Sequence, residues 1–226
     1  MPVDPNSDVE ITAFRWVPPF AAGLVRDLRI RWALEEIERP YKVRLLDAMH
    51  PRPQNYFAEQ PFGQVPAYRD GEVQLFESGA ILIHLGLGDE RLLPGETAPR
   101  GRAIAWLIAA LNSVEPAFFE LGAIDLFNKG EAWANERRPQ VVERIRERLA
   151  RLAEALGKQP YFEGRFTIGD LMMASVLRNL RHTELVAEQP RLATFLQRCT
   201  DRPAFQSALA DQLAVFKEHQ PEGAAA

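Results

Sequence analysis

Alternation of apolar and polar residues stops at Phe76, and every apolar repeat beyond it has helical spacing. A half-buried strand needs period 2 and an amphipathic helix a period near 3.6, so this chain can place a sheet only near its N-terminus. Residues 11–16 form a short apolar stretch, and Tyr41-Lys42-Val43-Arg44-Leu45 alternates apolar with basic. Between them Ile30, Ala33, Leu34 and Ile37 recur at helical spacing, which makes a βαβ unit. Val65-Pro66-Ala67-Tyr68 and Val73-Gln74-Leu75-Phe76 then flank Arg69-Asp70-Gly71-Glu72. Asp-Gly between apolar runs predicts a hairpin. Ser78 stands as the N-cap of a helix that follows at once. The order is βαβ, a proline-rich irregular segment over 50–61, then ββα.

Glycines and prolines over 86–99 break this pattern. The expected division is one domain over 9–88, a linker over 89–98 and an all-helical domain over 99–218. In the latter, 102–121 is a long apolar run, and Val142, Ile145, Leu149, Leu152 and Leu156 repeat at helical spacing behind Pro139, read as a helix-start residue. Thr167-Ile168-Gly169-Asp170 has the form of a capping box, with Asp in place of Glu. Two further helices are expected over 190–199 and 203–217.

Composition narrows the function classes. One cysteine in 226 residues, Cys199, excludes an intramolecular disulfide, a CxxC redox pair and a multi-thiolate zinc site, and fits a reducing, cytoplasmic home. It is expected to be a buried structural thiol, and no metal site is expected. A net charge of −4 and the absence of a long basic run give no nucleic-acid footprint. The clusters Arg26/Arg29/Arg31 and Arg144/Arg146/Arg148/Arg151 read as solvated helix faces. No window of about 18–20 uncharged apolar residues is expected to span a membrane, and residues 1–10 lack the pattern of a signal peptide.

Four motifs carry a resemblance. Gly63-Gln64-Val65-Pro66, Glu77-Ser78, Arg31-Trp32-Ala33-Leu34-Glu35-Glu36 and Thr167-Ile168-Gly169-Asp170 resemble segments of the cytosolic glutathione transferases over residues 9–217. The resemblance implies an α/β, thioredoxin-like N-terminal domain followed by an all-α helical-bundle domain. It also implies glutathione as co-substrate, a hydrophobic electrophile as second substrate, and a homodimer with no nucleic-acid or membrane partner. In such a protein a cis peptide before Pro66 would turn the backbone of Val65 toward the cysteinyl unit of the tripeptide, as a short added strand. Ser78 and the first amides of its helix would receive the γ-glutamyl carboxylate, with Glu77 beside the ammonium. Gln64 would assist, and His50 and Gln54 could reach the glycyl carboxylate. Each residue also has a plain structural reading: Pro66 as the start of an edge strand, Ser78 as a cap, Glu77 as solvated surface.

The departure from the family lies at the sulfur. Residues 13–40 contain no Ser, Thr, Tyr or Cys, the residue types that hold the family's thiolate. A free thiol has a pKa near 8.5, so some donor or cation must lower it. Arg26 is the candidate, with the amides of Leu24 and Val25 if the helix begins near Gly23. Alternatively, Arg26 pairs with Asp27 or Glu77 and only holds the loop. Trp16, Phe20, Trp106 and Phe119 are candidates for the electrophile pocket. Isomerisation, reductive dehalogenation or ether cleavage would use the same thiolate. The missing hydroxyl also leaves open a binding protein without catalysis.

Overall fold

The computed structural model describes residues 2–221 and 223. Four strands form one mixed sheet: β1 (Glu10–Phe14), β2 (Lys42–Leu46), β3 (Ala67–Asp70) and β4 (Val73–Phe76), in the order β2-β1-β3-β4. β1 and β2 run parallel, Ile11 opposite Val43, and are joined through helix α1 (Asp27–Glu36). Their parallel sense requires such a crossover. β3 pairs antiparallel with both β1 and β4, and the Gly71-Glu72 turn joins Asp70 to its register partner Val73. Gly71 takes φ +57°, a left-handed conformation open to glycine without penalty. The helical stripe predicted on α1 is the core: Ile30, Ala33 and Leu34 are fully buried. Helix α2 (Ser78–Leu87) completes the ββα half.

The rest is helical: α3 (Thr97–Ala109), α4 (Glu115–Gly122), α5 (Ala132–Leu156), α6 (Ile168–Leu177), α7 (Pro190–Thr200) and α8 (Pro203–Glu218). Two compact units result, one of residues 1–92 with 202–226, the other of 93–201. The sequence boundary had grouped α8 with the helical domain, but this helix packs on α1. Gln212 Nε2 donates to Asp27 Oδ1 at 2.8 Å, and Arg202 makes a double contact with Glu36 at 2.6 and 2.7 Å.

In the helical unit, π-helical turns at Ala110–Val114 and Ala123–Phe127 make Thr97–Phe127 one continuous run. That run is long and apolar enough to cross a membrane by length and composition, but Arg102, Glu115, Glu120 and Asp125 interrupt it, so it holds no uncharged window of the length considered from the sequence. A core helix meets the same test, and Ala103, Leu107, Ala110, Val114, Phe118 and Leu121 are buried. Pro139 lies inside α5 and does not begin it; the helix starts seven residues earlier, after Glu131. The capping box forms as expected. Thr167 Oγ1 accepts from the Gly169 amide at 3.2 Å, and Asp170 Oδ2 accepts from the Thr167 amide at 2.9 Å. Gly169 is required by close approach: a Cβ there would stand 2.8 Å from Trp106 Cβ and 2.9 Å from the Ala103 carbonyl on α3. Cys199 is fully buried on α7.

Candidate functional site

Helix α1 begins at Asp27, four residues later than Gly23. The chain before it is a series of tight turns. The amides of Ala21, Ala22 and Leu24 donate to Pro18, Pro19 and Ala21 carbonyls at 2.9, 3.2 and 2.9 Å, and Gly23 takes φ +75°. The Leu24 amide is therefore occupied, so it drops out as a sulfur donor. The Val25 amide has no acceptor among the described residues.

The arginines at 26, 29 and 31 are not a solvated face. Arg29 and Arg31 are 4% and 1% exposed. Arg31 Nε donates to Asp27 Oδ2 at 2.8 Å within the helix. Gln212 Nε2 donates to the other Asp27 oxygen at 2.8 Å. Arg29 Nη1 donates to Ser78 Oγ at 3.2 Å, and Arg26 Nη1 lies 3.4 Å from Gln64 Oε1. Arg26 at the N-cap of α1 and Arg29 in its first turn, three apart, reach the two segments singled out from the sequence. Sequence reasoning missed Arg29, because a charged residue on a helix reads as exposed unless its partner is known.

The first of these segments centres on the Val65-Pro66 peptide, which is cis. Val65 is 5% exposed, with its side chain in a small cluster with Leu46, Tyr56 and Ala67. No hydrogen bond to its amide or carbonyl forms among the described residues. Gly63 before it takes φ +64°, and a Cβ there would lie 3.1 Å from the Phe57 ring. Arg52 fixes this turn: its Nε donates to the Gly63 carbonyl at 3.0 Å, its Nη1 donates to the carbonyls of Asp47 and His50, and its guanidinium sits 4.6 Å from the Phe14 ring centroid. Sequence reasoning passed over Arg52 as well.

At the second segment, Ser78 is the first residue of α2 and not its cap. The cap position belongs to Glu77, whose carbonyl accepts from the Ile81 amide at 3.0 Å. Glu77 takes φ +68° and ψ +116°, a combination that costs a non-glycine residue about 1–3 kcal/mol and that clusters at functional sites. Its side chain is exposed. The first amides of α2 have no partner within the helix and carry the positive end of its dipole, with the buried Arg29 cation behind Ser78.

The remaining candidates separate. His50 is 75% exposed and its Nδ1 lies 3.0 Å from Asp47 Oδ2. The Met49 amide and His50 together hold the Asp47 carboxyl below its ordinary range. Gln54 opens the short 3-10 helix Gln54–Ala58 with its side chain exposed. Trp16 is half-buried and Phe20 exposed in the first unit; in the helical unit Phe119 is exposed. Trp106 is half-buried in the helical unit, its ring 4.3 Å from that of Phe162.

The comparisons with known proteins point one way. Models of the glutathione S-transferase N-terminal and C-terminal domains match residues 20–86 and 131–212. Glutathione S-transferase GstA of Escherichia coli O157:H7 is 32% identical over 200 residues, covering 84% of this chain and 94% of that protein. Glutathione S-transferase 4 of Zea mays is 29% identical over 230 residues, 96% of each chain. A crystal structure of a Burkholderia graminis glutathione transferase, with two glutathione molecules bound per subunit, aligns with TM-score 0.77 at 25% identity over 89% of this chain and 87% of that one.

Proposed function

Because the chain belongs to the glutathione S-transferase family, we propose that it binds glutathione along the ledge formed by Gln64, Val65, Glu77 and Ser78 and transfers it to a hydrophobic electrophile. The observation that carries this is the convergence of Arg26, at the N-cap of α1, and Arg29, in its first turn, on Gln64 and Ser78. The tripeptide has an extended backbone, an ammonium and two carboxylates. In this reading the unengaged amide and carbonyl of Val65 pair with its cysteinyl unit. The α2 amides, the Ser78 hydroxyl and the Arg29 charge receive the γ-glutamyl carboxylate, and Glu77 takes the ammonium.

The thiolate is held without a hydroxyl. Arg26 supplies the cation and Val25 the amide; a guanidinium within about 4–6 Å favours the anion by roughly a pKa unit or more. Proximity to a bound electrophile then does much of the catalytic work, as the thiolate displaces the leaving group and a carbon–sulfur bond forms. Trp16 and Phe20 offer apolar surface for that electrophile. The assembly we propose is a homodimer in the cytoplasm. The dimer is supported by the exposed Phe62 and Phe76 rings, 6.3 Å apart, at β4, one of the sheet's two edge strands.

The test joins turnover of an aryl halide to the ultraviolet absorbance of bound thiolate against pH. The wild-type protein should turn over the halide and show a bound thiol titrating at least about one unit below 8.5. Arg26→Ala should return the titration toward 8.5. An unchanged titration removes Arg26 from the mechanism, and absence of both glutathione binding and turnover defeats the transferase reading.

A further inference from the structure

Behind the cis-proline segment lies a hydrogen-bond chain whose direction is fixed by the chemistry of its ends. The Ala67 amide donates to Thr12 Oγ1 at 2.7 Å. At the other end Tyr56 Oη lies 2.6 Å from the Gln64 carbonyl oxygen, which can only accept, so the single phenol proton points there. Thr12 Oγ1 and Tyr56 Oη are 2.8 Å apart, and with the phenol proton committed the threonine hydroxyl must donate between them. The chain therefore runs from the Ala67 amide through Thr12 and Tyr56 to the Gln64 carbonyl. It closes on both sides of Val65-Pro66, the residues between its ends.

Both side chains are 1% exposed, so water does not compete for these bonds. Thr12 is the middle residue of β1, paired on one side with β2, so one end of the chain is set in the sheet. Tyr56 is held independently of its hydroxyl. Its amide donates to the Pro53 carbonyl at 2.9 Å, its carbonyl accepts from the Glu59 and Gln60 amides, and its ring lies under Arg44, 5.8 Å from the centroid. Burial pushes the Tyr56 phenol above its ordinary pKa, so it keeps the donated proton at neutral pH. Val65 packs against Tyr56 but takes no backbone bond of its own, so what aims its amide and carbonyl is the placement of its neighbours.

We propose that Thr12 and Tyr56 are positioning residues for glutathione, clamping the backbone on either side of Val65 so that its amide and carbonyl are set for the tripeptide before it arrives. This rests on the glutathione-binding reading above. The clamp acts on the binding of one substrate alone: a ledge free to shift must be ordered at each binding event, whereas the electrophile makes no use of it.

The test uses Tyr56→Phe, Thr12→Val and Thr12→Ser in the full chain, with calorimetric binding of glutathione and steady-state kinetics in both substrates. Tyr56→Phe and Thr12→Val should each weaken glutathione binding about 5- to 10-fold and raise its KM alike, with the electrophile KM unchanged. Thr12→Ser, which keeps the hydroxyl, should bind within about 2-fold of wild type. The double variant Thr12→Val/Tyr56→Phe should be no weaker than the worse single one, since the bonds form one chain. A merely destabilised protein loses active molecules and lowers kcat with both KM values unmoved, which would overturn the proposal. So would wild-type affinity in Tyr56→Phe, or failure of Thr12→Ser to restore binding, provided the wild-type protein binds glutathione. If the wild-type protein itself does not bind, the glutathione reading falls, and this inference with it.

Discussion

Asp27→Asn perturbs the interaction that seats α1, the helix from which Arg26 and Arg29 reach the site. Asp27 is fully buried, with Arg31 Nε 2.8 Å from one carboxylate oxygen and Gln212 Nε2 2.8 Å from the other. The amide has the same shape but no charge, and it leaves the Arg31 guanidinium, 1% exposed, as an uncompensated buried cation. Removing one partner of such a pair costs about 3–5 kcal/mol. Arg31→Met should cost a similar amount, because it strands the carboxylate with Gln212 alone. The double variant Asp27→Asn/Arg31→Met removes both charges and keeps an amide–amide bond to Gln212, so its cost should fall to about 1–3 kcal/mol. Urea unfolding measures all four proteins; with a slope of roughly 2–3 kcal/mol per molar, each single variant lowers the midpoint by about 1–2.5 M and the double by less. Additive single costs would refute the pairing. A loss below about 1 kcal/mol in Asp27→Asn would place the compensation of Arg31 elsewhere, with Glu35 and Asp211 the other acids it acts on.

Two further variants test the helical unit. Burial raises the Asp170 carboxyl to about 6 from 3.8, so its proton is bound more tightly in the folded state. The stability it contributes is complete below about pH 3.8 and is lost as pH rises through about 6. The unfolding free energy of wild type relative to Asp170→Asn should therefore fall by roughly 2–3 kcal/mol between pH 4 and 7.5, and a flat difference contradicts this. Gly169→Ala brings a methyl to 2.8 Å from Trp106 Cβ and 2.9 Å from backbone oxygen, neither of which is a flexible end. About 1–3 kcal/mol should be lost, read as a lower thermal midpoint; an unchanged midpoint would mean α3 and α6 are not in rigid contact there.

What could be read from the chain was whatever repeats locally. Ile30, Ala33 and Leu34 announce α1 by spacing and are its buried face, and Thr167 to Asp170 announces a cap that forms. The hairpin was visible in Asp70-Gly71 for the same reason. What failed depends on contacts that no local repeat announces. Arg29 and Arg31 look like surface until Ser78, Asp27 and Gln212 are placed beside them. The start of α1 was misread because nothing in residues 18–25 marks a helix end, and the turns closed by Pro18, Pro19 and Ala21 carbonyls appear only in three dimensions. Pro139 was taken for a helix start since proline favours that position, while α5 tolerates it in its second turn. Thr12, Tyr56 and Arg52 carry no motif, and the four residues of the ledge are legible only because the resemblance supplies their order.

Calorimetric titration of glutathione into wild type, Glu77→Gln and Ser78→Ala tests whether the tripeptide lies on the ledge of Gln64, Val65, Glu77 and Ser78. Wild type should bind saturably at one such site per chain, and both variants should bind more weakly by roughly 10-fold or more, the effect of losing a charge-assisted hydrogen bond. Wild-type affinity in either variant would contradict that placement and move the tripeptide elsewhere on the molecule.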